Sequence, residues 1–132
     1  MALNGTGLRF IDSEPIPAGT PGGKNRCTVQ AQPTGNYPAL GELISDLLVA
    51  LWALGSNPKV PTGVRPSNVT VTDSLGHVWT FDRAQGTAGS LRNWTAVSNT
   101  PTEHATAAYD GNEASGVLTI VLEFPLYSDL SR

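Results

Sequence analysis

The sequence predicts a mainly β domain: an antiparallel β-sandwich or small barrel of about six strands, with one amphipathic α-helix packed on it and an extended N-terminal arm. Three observations carry this. From Val69 to Val97 the chain reads as three consecutive short strands, in which Val69, Val71, Val78, Trp79, Phe81, Leu91 and Trp94 supply β-branched and aromatic bulk. Asp73-Ser74-Leu75-Gly76 and the segment Arg83 to Ser90 break them with polar, glycine-containing turns. Only one stretch, Pro38 to Gly55, has a helical period, and ten Pro and fourteen Gly with 14% charged residues mark a loop-rich β protein.

Residues 1–24 read as an arm and 25–132 as a single β-rich domain. The arm holds one short candidate strand, Leu8 to Ile11, and then PIPAGTPGGK, where Pro and Gly prevent regular structure. In Arg26 to Gln32, the residues Cys27, Val29 and Ala31 alternate with Arg26, Thr28, Gln30 and Gln32, as in a half-buried strand. Leu40, Leu43, Ile44, Leu47, Leu48, Leu51 and Leu54 then fall at helical spacing, which predicts a helix over 38–54. Glu42, Ser45 and Asp46 face away, and Gly55 with Pro58 stops it. Val49, Ala50 and Ala53 widen the apolar stripe, either as helical filler or as a contact surface.

A meander of Asn68–Thr72, His77–Asp82 and Leu91–Val97 follows a Pro/Gly loop. Glu103 to Tyr109 is a weaker strand, Asp110-Gly111-Asn112 a turn, and Gly116 to Phe124 the most apolar strand, suited to the centre of a sheet.

Chain length suits one core that buries roughly two thirds of the unfolded surface. The net charge of −3 and only two Lys leave no basic field for phosphate neutralisation, so nucleic acid is not an expected partner. The one cysteine, Cys27, cannot form an internal disulfide and is expected buried in its strand. The N-terminal MALNGTGLRFIDSEP has neither a basic start nor a continuous apolar run, so folding is expected in a cytoplasm. The run Ala39 to Leu54 is too short and too polar for a membrane span.

Chemistry is sparse. AGTPGGK at Ala18 to Lys24 lacks the first Gly and the Ser or Thr of a phosphate loop. His77 and His104 fit no metal-ligand spacing and are expected on the sheet surface. Glu103, His104 and Asp110 form a conceivable cation or general-base site, but at a spacing common in polar loops. No nucleophile elbow is present. Carboxylate pairs drawn from Asp82, Glu103, Asp110, Glu113 and Glu123 are what any acidic chain offers. Trp52, Trp79, Trp94, Tyr37 and Tyr109 could form a sugar-binding platform, with core packing the simpler expectation for Trp52 and Trp79. The sequons Asn68-Val69-Thr70 and Asn93-Trp94-Thr95 are read as fortuitous. No catalytic activity and no cofactor are expected.

The Gly/Pro arm, the Thr/Asn-rich low-charge β domain and the unit LGHVWTFDRA leading to SLRNW resemble small auxiliary virion proteins of tailed bacteriophages, the head decoration or cement proteins. In that family a polar-Tyr-Pro segment, here Asn36-Tyr37-Pro38, leads into a leucine-rich stretch. A later strand ends in an aromatic and Asp, here Trp79-Thr80-Phe81-Asp82. The resemblance covers about Gly35 to Phe124; the leucine-rich part departs from it in being long enough for a full helix. It implies a non-enzymatic β domain that folds in the host cytoplasm, forms homo-oligomers, and binds the major capsid protein and copies of itself on the capsid exterior. The arm would make the inter-subunit contacts, with Leu8, Phe10, Ile11 and Ile16 as its apolar anchors. A carbohydrate-binding or tail-associated adhesin domain is the main alternative. An RNA-phage-type coat protein fits less well, because its helices follow the sheet, and a small enzyme has no supporting constellation.

Overall fold

The computed structural model describes residues 8–15, 24–53, 65–97, 100–109 and 115–125. Among them are eight strands and one helix: β1 (Arg9–Pro15), β2 (Lys24–Ala31), β3 (Glu42–Leu43), α1 (Ile44–Ala53), β4 (Asn68–Asp73), β5 (Val78–Asp82), β6 (Ser90–Val97), β7 (Thr100–Glu103) and β8 (Leu118–Pro125). All pairings are antiparallel. One four-stranded sheet has the order β1-β2-β8-β4; in the other, β3 and β5 flank β6, and β7 also pairs with β6. The fold is the mainly β, sandwich-type architecture that the sequence predicts.

Alternation explains the core. Cys27, Val29 and Ala31 of β2, Leu118, Ile120, Leu122 and Phe124 of β8, and Val69 of β4 turn inward from the first sheet. Trp79 and Leu91 answer from the second, and Ile44, Leu47, Leu48 and Leu51 of α1 join the same cluster. β8 is the most apolar strand because it is central, with neighbours on both edges.

The meander expected over Val69 to Val97 is corrected. β4 pairs with β8, whereas β5 pairs with β6, so the chain changes sheets between Asp73 and Val78. Asp73 makes this corner: its Oδ1 accepts from the Leu75 N–H at 2.8 Å, its carbonyl from the Gly76 N–H at 3.0 Å, and its Oδ2 from Trp79 Nε1 at 2.9 Å. Gly76 completes the turn at φ 80°.

The helix begins at Ile44 rather than at residue 38, and Leu54 lies outside the described residues. Leu40 at φ 68° and Gly41 at φ 92° are left-handed, which stops α-helix from propagating backward. The expected strand over 103–109 is β7 instead, at Thr100–Glu103, and among the described residues 104–109 make a single bridge, Asn36 to Ala108.

Within the expected arm, Arg9–Pro15 is β1, paired with β2 from Arg9 opposite Gln30 to Pro15 opposite Asn25. These strands form a hairpin at the edge of the first sheet, with a register shift between Phe10 and Asp12. Residues 1–7 and 16–23 lie outside the described residues.

Cys27 is fully buried in β2, and burial pushes its thiol up to about 11. Thiol-specific reagents at neutral pH are expected to label it only as fast as the domain unfolds; rapid labelling of the folded chain would contradict its placement. Because the folded-state pKa lies above the unfolded value, this group leaves stability unchanged below about pH 9 and lowers it progressively from there to about 11. No helix among the described residues is long and apolar enough to cross a membrane.

Candidate functional site

The second sheet has an interrupted edge. β6 is bordered along one side by β5, but along the other by two short strands, β3 opposite Ser90 and Leu91 and β7 opposite Trp94 to Val97. Between them, the backbone of Asn93 needs other partners. Its N–H donates to the Tyr37 hydroxyl at 3.3 Å, and its carbonyl accepts from the His104 N–H at 2.9 Å.

Tyr37 is held by its own backbone. Its N–H donates to the Ala107 carbonyl at 2.9 Å, and the Tyr109 N–H donates to the Gly35 carbonyl at 3.0 Å, so 35–37 and 107–109 lie side by side. The His104 ring packs between Tyr37 and Tyr109, its centroid 5.1 Å from each. This corrects the expectation of a sheet-surface His104: it sits after β7, against two buried tyrosines. Tyr109 donates to the fully buried Glu42 at 3.3 Å.

From Tyr37 the network runs outward. Its hydroxyl donates to Glu103 Oε2 at 2.7 Å, and burial followed by this hydrogen bond to a carboxylate pushes its phenol well above the ordinary tyrosine range. Arg92 bridges Glu103 at 3.3 Å and Asp82 at 3.1 Å. These three side chains share the outer face of β5, β6 and β7, because Thr80 lies opposite Arg92 and Glu103 opposite Trp94. Each is about a quarter exposed, so the pairs are partly screened and serve to fix positions more than to add stability.

Beside this triad the same face carries an open groove of about 420 Å³, lined by Val78, Thr80, Trp94, Thr95 and Pro101. Trp94 Nε1 donates to Thr80 Oγ1 at 2.8 Å, which draws the indole across β5. Val78 is 60% exposed.

The aromatic residues therefore divide. Tyr37, Tyr109 and Trp79 are buried, Trp52 packs partly against the core from α1, and Trp94 alone of these lines the outer groove. Asp82 and Glu103 come together, but through Arg92 as ion-pair partners. Asp110 and Glu113 lie outside the described residues, as do Ala18 to Gly23 of the phosphate-loop-like segment. No group of three or more His, Cys, Asp or Glu among the described residues could hold a metal ion. Asn93 is 1% exposed, so the second sequon is closed off in the folded domain. Of the arm positions, Leu8 packs partly on the core, Ile11 is 46% exposed at the register shift, Phe10 lies in β1 opposite Val29, and Ile16 is outside the described residues.

Sequence reasoning missed the Arg92 bridge and the Trp94–Thr80 bond. The only signal for either was the alternation of β6, which puts Arg92 and Trp94 on the face opposite Leu91 and Asn93. No family model, curated protein or solved structure matches the chain.

Proposed function

We propose that the chain is a non-enzymatic structural protein of a bacteriophage virion, a decoration or cement protein that attaches to the assembled capsid through its β1–β2 hairpin. The observation that carries this reading is the position of β1 at the edge of the first sheet. Among the described residues no strand pairs with its outer side, and Ile11 is exposed there. An open strand edge recognises extended backbone on a partner surface, and contacts added along it accumulate affinity without a concave pocket. The resemblance of Asn36-Tyr37-Pro38 and Trp79 to Asp82 to decoration proteins supports the same assignment. Partners are then the major capsid protein and further copies of this chain, and the working location is the capsid exterior. The adhesin alternative is favoured by one separate observation, the exposed groove at Trp94.

The test is co-sedimentation with candidate capsid shells. The full chain is expected to pellet with its cognate shell. A chain shortened to begin at Lys24, and the point variant Ile11→Asp, are expected to lose at least tenfold in attachment. Ile11→Asp leaves the core untouched, so it keeps the test valid if shortening destabilises the first sheet. Undiminished attachment of Ile11→Asp would overturn the role of this edge.

A further inference from the structure

The geometry points to a binding site for neutral saccharides in the groove on the outer face of the second sheet, with Trp94 as its platform. The groove lies on the other sheet from the β1–β2 hairpin, so both surfaces can be engaged at once.

The first argument is the posture of Trp94. An indole rising perpendicular to a sheet would present only its edge. Here Nε1 reaches Thr80 Oγ1, on the neighbouring strand and two residues along from Val78, the residue opposite Trp94. That bond lays the ring across β5 and fixes it before any ligand arrives, which removes the ordering cost of binding. A flat aromatic face of this kind matches the C–H face of a pyranose ring, an apolar surface encircled by hydroxyls.

The second argument is the surrounding polar chemistry. Thr80 Oγ1 accepts the indole proton and keeps its own O–H to donate at the groove it lines. Glu103 lies directly opposite Trp94 on β7, and Arg92 two residues along β6. Arg92 orients both Asp82 and Glu103, and each carboxylate can accept more hydrogen bonds than Arg92, Tyr37 and the Ala84 N–H on Asp82 Oδ1 provide. Rigid acceptors beside a flat aromatic ring suit the equatorial hydroxyls of a sugar. The groove's own lining is almost wholly apolar, so these acceptors meet a sugar at the margin of its ring.

Charge selects among saccharides. The triad holds two carboxylates and one guanidinium, and the chain as a whole carries −3, so sialylated, sulfated or phosphorylated sugars are repelled. Neutral hexoses and N-acetylhexosamines are the class that fits.

The experiment uses the isolated full chain, so its outcome does not depend on capsid attachment. The indole N–H resonance of Trp94, assigned with Trp94→Phe, is followed by NMR during titration with methyl β-glucopyranoside, methyl β-galactopyranoside, N-acetylglucosamine and their short oligomers. At least one probe is expected to shift that resonance saturably, in preference to those of Trp52 and Trp79. Trp94→Ala is expected to weaken binding at least tenfold, and Thr80→Val about threefold, with the thermal midpoint of each variant confirming an intact fold. Absence of a saturable shift up to tens of millimolar would overturn the proposal. Equal or tighter binding of sialyllactose would overturn the charge argument, and a Pro-rich peptide moving Trp94 where no sugar does would identify a protein-docking groove instead.

Discussion

Gly41→Ala is expected to lower the unfolding free energy by about 4 kcal/mol or more, a large part of the roughly 5–15 kcal/mol that holds a domain of this size together. Two costs combine. At φ 92° an L side chain is strained, and a Cβ there would lie 2.5 Å from the Leu91 carbonyl oxygen and 3.1 Å from its carbon. The obstruction is backbone of the central strand of the second sheet, so no rotamer change relieves it. β3 starts at the next residue, with Glu42 opposite Leu91, and a shift large enough to admit the methyl separates these strands. Gly35→Ala is the control: φ is 73°, but nothing lies within 4 Å of the added carbon, so only the conformational cost of about 1–2 kcal/mol remains. Urea denaturation of both variants checks this, and comparable losses would show that the close approach to Leu91 contributes nothing.

Removing the Tyr37 side chain is the second large effect. Tyr37→Ala is expected to cost about 3–5 kcal/mol, because the ring is 1% exposed and packs against His104 and Tyr109. Tyr37→Phe separates out the hydroxyl and is expected to cost about 1–3 kcal/mol. It leaves the Asn93 N–H without its acceptor at the gap between β3 and β7 along that side of β6, and takes one donor from Glu103, which keeps Arg92. Hydrogen exchange distinguishes this from general weakening. In Tyr37→Phe the Asn93 amide is expected to lose more protection than the amides of β2 and β8, and a uniform loss would refute the edge-closing role.

The parts of this fold written in local periodicity were legible in the sequence. Leu47, Leu48 and Leu51 announced a helix by spacing alone, Cys27, Val29 and Ala31 announced a half-buried strand, and the apolar density of residues 118–124, broken only by Thr119 and Glu123, announced a central one. The start of the helix was not legible, because what displaces it is the close approach of Gly41 to Leu91, fifty positions away. The change of sheet at Asp73 was hidden for a similar reason: Asp-Ser-Leu-Gly fits a hairpin turn equally well, and the bond from Trp79 Nε1 to Asp73 exists only once the corner has formed. At the candidate site, the sequence set Trp52 and Trp79 aside for core packing but left Trp94 level with Tyr37 and Tyr109. Its groove became distinct only when the alternation of β6 was combined with the inward burial of Trp79 on its neighbour.

The place of β8 in the first sheet has a consequence for biosynthesis. Among the described strands it is the last to be translated, yet it lies between β2 and β4 and supplies the inner partner of both. Until residues 118–125 have been made, β4 has no partner in this sheet and β2 has only β1. The first sheet therefore closes through contacts between distant parts of the sequence, which makes folding slow compared with local helix or hairpin formation. During elongation the nascent chain carries Val29 and Val69 on strands still lacking this partner, the condition that favours wrong pairing between crowded chains on one message. Expression slow enough for each chain to finish and close before meeting another is thus expected to set the yield of this protein, more than the intrinsic strength of its core.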